Sequence, residues 1–196
     1  VAQPPHSDAN IADEPPIVVR TGMTADQYFG MPASSQPQNL IDGLLYISPR
    51  PGEEHDALVE VLWRALREYS RVHGGHVIGL RFDCWLDDSN ILQPDSAYVT
   101  PERAHLAGRY MHGPPDLVVE VLSPGTRAFD NEAKFAAYGT HGVREAWFAD
   151  PIAETVTVVN GDGRGWQSER TVPFGEAIPS QIVDIGAGDL TRAAME

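Results

Sequence analysis

The sequence predicts an α/β fold built on a mixed β-sheet, and three observations carry that prediction. Period-two hydrophobic stretches alternate with two stretches of helical period. Asp42-Gly43 and Asn160-Gly161-Asp162-Gly163 supply hairpin turns, which make antiparallel pairs. A strand followed closely by a helix and then another strand (Asp116–Leu122, Arg127–Thr140, Val143–Phe148) supplies a crossover, which makes a parallel pair.

Residues 1–20 carry Pro4, Pro5, Pro15 and Pro16 with Asp8, Asp13 and Glu14, and read as a flexible acidic tail ahead of one domain over 21–196. Thr24 is an N-cap candidate for a short helix, Ala25–Gly30. Asn39–Ser48 reads as strand, turn, strand. From Glu53 to His73, Leu58, Leu62, Ala65, Leu66, Tyr69 and Val72 recur at helical spacing, and Gly74-Gly75 ends the helix. His76–Leu86 and Ile91–Val99 read as strands joined by the turn Asp87–Asn90. The Gly- and Pro-rich stretch from Pro101 to Pro115 is long enough to be a lid or a mobile loop. Asp116–Leu122 reads as a strand buried on both faces, Ser123–Thr126 as a turn, and Arg127–Thr140 as a helix. Strands follow at Val143–Phe148, Thr155–Val159 and Trp166–Val172, with one or two short edge strands within Gly175–Leu190.

The chain has 196 residues, 42% hydrophobic and 21% charged, enough for a sizeable core and unlike a disordered or coiled-coil composition. No run approaches the roughly 20 apolar residues of a membrane span, and the start of the sequence lacks the basic and apolar regions of a signal peptide. One cysteine, Cys84, excludes an intrachain disulfide and a Cys-based zinc site. A soluble cytoplasmic domain is expected. Twenty-eight acidic residues against fourteen basic ones give a net charge of −14, which argues against a general nucleic-acid coat but leaves room for an enzyme with a local basic cleft. Thirteen of the basic residues are Arg; the one lysine is Lys134.

Glu120 is the main anomaly, a carboxylate within the otherwise apolar Leu117–Leu122, where burial needs a partner or a metal. A core salt bridge is the structural alternative. Asp95, in Gln93-Pro94-Asp95, is a carboxylate in mid-strand beside a proline that implies an edge or a bulge; an exposed turn aspartate is its alternative. Lys134 sits on the helix after the strand of Glu120, and an ordinary pair with Asp130 is its alternative. Together, two carboxylates offer hard oxygen ligands for Mg²⁺ or Mn²⁺, and a nearby lysine can position or deprotonate water or stabilise a phosphorane. His73-Gly74-Gly75-His76 reads as a helix end rather than a metal pair, and Ser123 and Thr126 as caps.

At these residues the chain resembles the Uma2 family of restriction-endonuclease-like proteins, also described as a domain of unknown function, within the PD-(D/E)XK nuclease superfamily. The matching stretches are Asn39–Gly43, His55, Gln93-Pro94-Asp95, Pro114–Pro124, Asp130, Lys134, Tyr138, Gly142–Trp147 and Asp150-Pro151, across about residues 22–160. The resemblance implies a restriction-endonuclease-like α/β fold, a mixed β-sheet flanked by helices, and Mg²⁺-dependent hydrolysis of nucleic-acid phosphodiesters, with DNA the expected substrate. It assigns Asp95 and Glu120 as metal ligands and Lys134 as the catalytic lysine, with His55 and Asp130 as accessory residues. The superfamily's Glu-X-Lys would put lysine at Leu122; the family takes it from the following helix. Two strands to cut make a homodimer the expectation by analogy. The family commonly has acidic residues around the Ile-Asp-Gly turn, where this chain has Asn39 and Leu44. That departure and the net charge support a rival reading, a catalytically inactive nuclease fold used for binding or assembly; a metal-dependent hydrolase of small phosphorylated substrates is a third. On the nuclease reading, Lys134→Ala is expected to keep the fold and abolish cleavage.

Overall fold

The computed structural model describes residues 14–185. Two six-stranded mixed sheets form instead of one. The first takes β1 (Ile17–Arg20), β2 (Gln38–Ile41), β3 (Leu44–Ile47), β5 (Cys84–Asp87), β6 (Asn90–Leu92) and β8 (Met111–His112), in the order β1-β3-β2-β6-β5-β8. The second takes β4 (His76–Ile78), β7 (Ser96–Val99), β9 (Leu117–Val121), β10 (Glu145–Asp150), β11 (Thr155–Gly161) and β12 (Trp166–Pro173), in the order β12-β11-β10-β9-β7-β4. The β2–β3, β5–β6 and β11–β12 hairpins come from the expected turns, whereas β10–β11 turns at residues 151–154. In β2–β3, Asp42 (φ 50°) and Gly43 (φ 73°) both take the left-handed conformation that a two-residue hairpin of the Asp-Gly kind needs. Of the two parallel pairs, β9 with β10 is joined through the expected crossover, and β5 with β8 is the other.

The two stretches expected as single strands each divide between the sheets. His76–Leu86 becomes β4 and β5, broken at Arg81, whose φ of 60° no strand accommodates. Ile91–Val99 becomes β6 and β7, broken at Gln93-Pro94-Asp95 because Pro94 cannot donate to a ladder. Asp95 therefore stands where the chain crosses from one sheet to the other, not in mid-strand.

Helix α2 (Glu53–His73) has the expected bounds. It buries Leu58, Leu62 and Leu66 in one core with Leu117, Val119 and Val121 of β9. Gly75 beyond its end has φ 86°, and a Cβ there would lie 2.5 Å from the Tyr98 hydroxyl and the Val99 carbonyl. The other face of β9, with Val118 and Leu122, packs into a second core with Ala137 and Tyr138. That alternation aims Glu120 at the second core. Helix α1 (Ala25–Phe29) carries the Thr24 cap as a full capping box with Gln27.

Three other expectations change. Of the tail expected over residues 1–20, residues 1–13 lie outside the described region, and Ile17–Arg20 pairs with β3 as an edge strand exposed along its length, which explains the missing apolar alternation. The stretch expected as a lid or mobile loop instead docks: Pro101–Leu106 is a 3₁₀ helix and β8 pairs with β5, burying Met111. Within Gly175–Leu190, residues 175–185 make no strand, although Ile178, Val183 and Ile185 join the α2 core; residues 186–190 lie outside the described region. Buried Glu145 holds this segment, accepting from Trp147 Nε1 (2.7 Å), Gln181 N (2.6 Å) and the Ser180 hydroxyl.

Buried Asp116 latches the long loop by accepting from Thr100 N (2.8 Å), Arg103 Nη1 (2.8 Å) and Arg144 Nη1 (3.2 Å). Burial raises its pKa, but these donors outweigh burial and hold it below the ordinary 3.8. A depressed folded value stabilises above the unfolded one and loses that contribution as pH falls through the folded value. Asp116→Asn is expected to cost about 1.5–3 kcal/mol at neutral pH, where charged hydrogen bonds are lost. In thermal melts the gap between wild type and variant should close below pH 4; a gap independent of pH would contradict the latch.

Candidate active site

Three elements bring the sequence-predicted residues together. The antiparallel register of β7 and β9 pairs Ser96 with Val119, so one further step sets Asp95 across from Glu120 on the same sheet face. His55, in the first turn of α2, reaches the crossing from the side. Asp130 and Lys134 come from the helix after β9, which is not continuous α-helix as expected. Short α3 (Arg127–Phe129) and α4 (Phe135–Thr140) flank a π-helical segment, Asp130–Lys134, which begins at one of these residues and ends at the other. Such widened turns recur where a helix re-aims functional side chains.

Glu120 is 1% exposed and Lys134 6%. Lys134 Nζ donates to Glu120 Oε2 at 2.8 Å and lies 3.3 Å from Asp130 Oδ1. Tyr138, one turn beyond Lys134, donates its hydroxyl to Glu120 Oε1 at 2.5 Å. Sequence reasoning quoted Tyr138 only as a family match; its i+4 spacing from Lys134 was the signal that could have placed it at the site. Asp95 Oδ2 accepts from Val121 N at 2.8 Å and lies 3.2 Å from His55 Nε2, whose Nδ1 is 3.2 Å from Asp56. His55, Asp95, Glu120, Asp130 and Lys134 border a pocket that offers water about 40 Å³, also lined by Arg50.

Burial and the neighbouring Asp95 and Asp130 carboxylates push Glu120 up to about 8, against the opposing pull of Lys134. Burial also raises Asp130. Burial would lower Lys134, but the three carboxylates around it more than compensate and hold it protonated. Burial likewise lowers His55, yet the charge and hydrogen bond of Asp95 carry it up to about 9. Asp95, raised by burial but drawn down further by His55, Lys134 and Val121 N–H, stays ionised. Lys134 is thus a fixed cation, not the exposed partner of Asp130 alone.

Asn39 and Leu44 mark the departure from the family pattern. Asn39 is fully buried, and its Oδ1 accepts from Gln93 N at 2.8 Å, which pins the crossing that carries Asp95. Its Nδ2 has no partner among the described residues. His73 Nδ1 lies 3.1 Å from the Tyr69 carbonyl, a helix-end contact, and Ser123 and Thr126 bond each other at 2.9 Å.

Asp95 and Glu120 suit a small divalent cation. Both are hard oxygen donors on one sheet face, and Asp95 Oδ1 has no hydrogen bond among the described residues. Magnesium takes one or two carboxylates and completes its shell with water and phosphate. This is no all-protein cage: among the described residues, no three His, Cys, Asp or Glu side chains are grouped to hold a metal.

Removing Lys134 leaves two buried carboxylates facing each other. Lys134→Met is therefore expected to cost about 3–5 kcal/mol in urea denaturation, and Glu120→Gln in the same chain should recover part of it. A loss of only ~0.2–0.5 kcal/mol would mean an ordinary helix pair with Asp130. Because Lys134 is buried against Glu120 and Asp130, a loss of stability now replaces the expectation that Lys134→Ala spares the fold.

No curated protein matches the chain. Among solved structures, the fold is similar to the crystal structure of "a putative nuclease belonging to DUF820 from Anabaena variabilis ATCC 29413", with a TM-score of 0.75 and 18% identity over 89% of this chain and 99% of that one. No helix among the described residues is long and apolar enough to cross a membrane. The family profile matches residues 25–191, most of the length, and so the chain belongs to the Uma2 family, described as "Putative restriction endonuclease".

Proposed function

We propose that this protein hydrolyses phosphodiester bonds of DNA with Mg²⁺ or Mn²⁺ held by Asp95 and Glu120. The observation that carries the reading is the convergence of these two carboxylates with a buried, charged lysine beside a solvent-open pocket. Family membership supports a nuclease, and the Anabaena protein is called "a putative nuclease" in its own description.

A bound divalent ion would acidify water and neutralise phosphate charge. The chain's residues do the rest. Asp95 is oriented by Val121 N–H and His55. Lys134, fixed by Glu120 and Asp130, stabilises the charge that grows on the phosphorane oxygens; being held protonated, it does not act as a base. Arg50 on the pocket rim can pair with a phosphate next to the scissile one. The water oxygen bonds to phosphorus, the bond to the sugar oxygen breaks, and that oxygen takes up a proton as the water loses one. A duplex would need two such centres, as in a homodimer.

The rival reading, an inactive module, has one specific support: both oxygens of Glu120 already accept a hydrogen bond, as a structural network requires. Cleavage decides between them. Wild-type protein with Mg²⁺ or Mn²⁺ should cut single-stranded or duplex DNA, EDTA should stop it, and Asp95→Asn should lower the rate at least ~100-fold, the scale of losing one preorganised electrostatic group. No cleavage of either DNA form with either metal would favour the module.

A further inference from the structure

Beyond the site pocket, the surface continues as a groove. A second cavity of about 290 Å³ shares Arg50, Gln93 and Asp95 with the site pocket, and a third of about 340 Å³ joins it through Arg81 and Gln93. Arg50, Arg81 and Arg109 follow one another along this path. None of the three has a carboxylate partner among the described residues, as is also true of Arg20, Arg67, Arg164 and Arg170 elsewhere, whereas Arg64, Arg71, Arg103, Arg127 and Arg144 are each neutralised by one. Asp56, Asp83 and Asp95 line the same cavities, but Asp56 and Asp95 face His55 and Asp83 accepts from Tyr28 and Gln93, which leaves the three unpaired guanidinium groups as the contacts that these cavities offer an anion.

The far cavity has a different chemistry. Phe29 and Tyr110 line it and stack on each other with centroids 4.5 Å apart and planes 20° apart. Gln93 Nε2 and the Tyr28 hydroxyl fix Asp83 Oδ1, at 2.8 and 2.9 Å. Asp83 Oδ2 and the side-chain amides of Gln36 and Gln38 carry no hydrogen bonds among the described residues. Arg81, at the mouth, keeps its left-handed backbone, a cost of about 1–3 kcal/mol that packed surroundings must sustain and that recurs at ligand sites.

We propose that the groove binds one DNA strand with unpaired bases, its phosphates on Arg50, Arg81 and Arg109 and one base seated in the Phe29–Tyr110 cavity. The inference rests on the nuclease reading and adds to it the form of the substrate. Free amides and a carboxylate oxygen suit a base edge, aromatic rings suit a base face, and bases locked in a duplex stack cannot enter a side cavity. A duplex must therefore fray to reach the site.

The test is equilibrium binding of a fluorescent oligothymidylate, against a blunt duplex of equal length, in EDTA. Wild type should prefer the single strand. Arg81→Ala with Arg109→Ala should weaken it about ten-fold or more and reduce the log–log salt slope by ~0.7 per arginine. Tyr110→Leu should weaken it about ten-fold at unchanged slope, as loss of a stacked base does. Single-strand binding unaltered by these variants, or equal duplex affinity, would overturn the groove while leaving the metal-dependent centre to its own cleavage test. Groove-dependent strand binding by a wild type that never cleaves would overturn the nuclease reading and keep the groove.

Discussion

A carboxylate removed from water costs several kcal/mol unless ions and hydrogen bonds replace the solvent. Glu120 is placed under that constraint by β9, a strand covered on both faces, and much of the site answers to it. Lys134 must lie within contact, so the helix after β9 must turn back over the sheet at a set distance. Lys134 is buried in turn and draws in Asp130, and the π segment lets both reach the same place. Tyr138 closes the remaining oxygen. The arrangement is satisfied in hydrogen bonds but not in charge: Asp95, Glu120 and Asp130 crowd one lysine and one histidine, and Glu120 is left well above the usual carboxylate range. On the proposed reading, a divalent cation held by Asp95 and Glu120 would supply the charge that is short.

The same physics separates two glutamates that burial alone cannot. Glu145 is as deeply buried as Glu120 and lies in the neighbouring strand. Its donors are an indole N–H, a hydroxyl and a backbone N–H, with no ion pair among the described residues, and they tie down the segment around Ser180. Glu145 is a fastening; Glu120 faces a cation, two further carboxylates and a pocket.

Much of this was legible because it is local. The helical period of Glu53–His73, the Asp-Gly hairpin, the crossover and the oddity of Glu120 in an apolar run all sit within one segment. Asp95 and Lys134 stand out in the sequence because proline beside an aspartate and a lone lysine are unusual in this composition. What escaped was set by tertiary packing. The division of two apparent strands between two sheets depends on where Arg81 and Pro94 break the ladder, and local alternation continues across both breaks. A π turn has no residue signature in Asp130–Lys134. The edge strand Ile17–Arg20 has no buried face to give it a period, and the groove arginines are dispersed in sequence. The net charge of −14 argues against a general nucleic-acid coat, but a total does not show where the unpaired charges lie.

Metal binding separates the proposed divalent-metal centre at Asp95 and Glu120 from a packed ionic network. Calorimetric titration of Mn²⁺ into the purified protein, beside Asp95→Asn and Glu120→Gln, tests it most directly, because it needs no knowledge of the substrate. The expectation is that wild type binds the ion and that either substitution abolishes binding. Absence of binding to wild type, even with DNA added, or equal binding to both variants, would contradict it and leave Glu120 as part of the core.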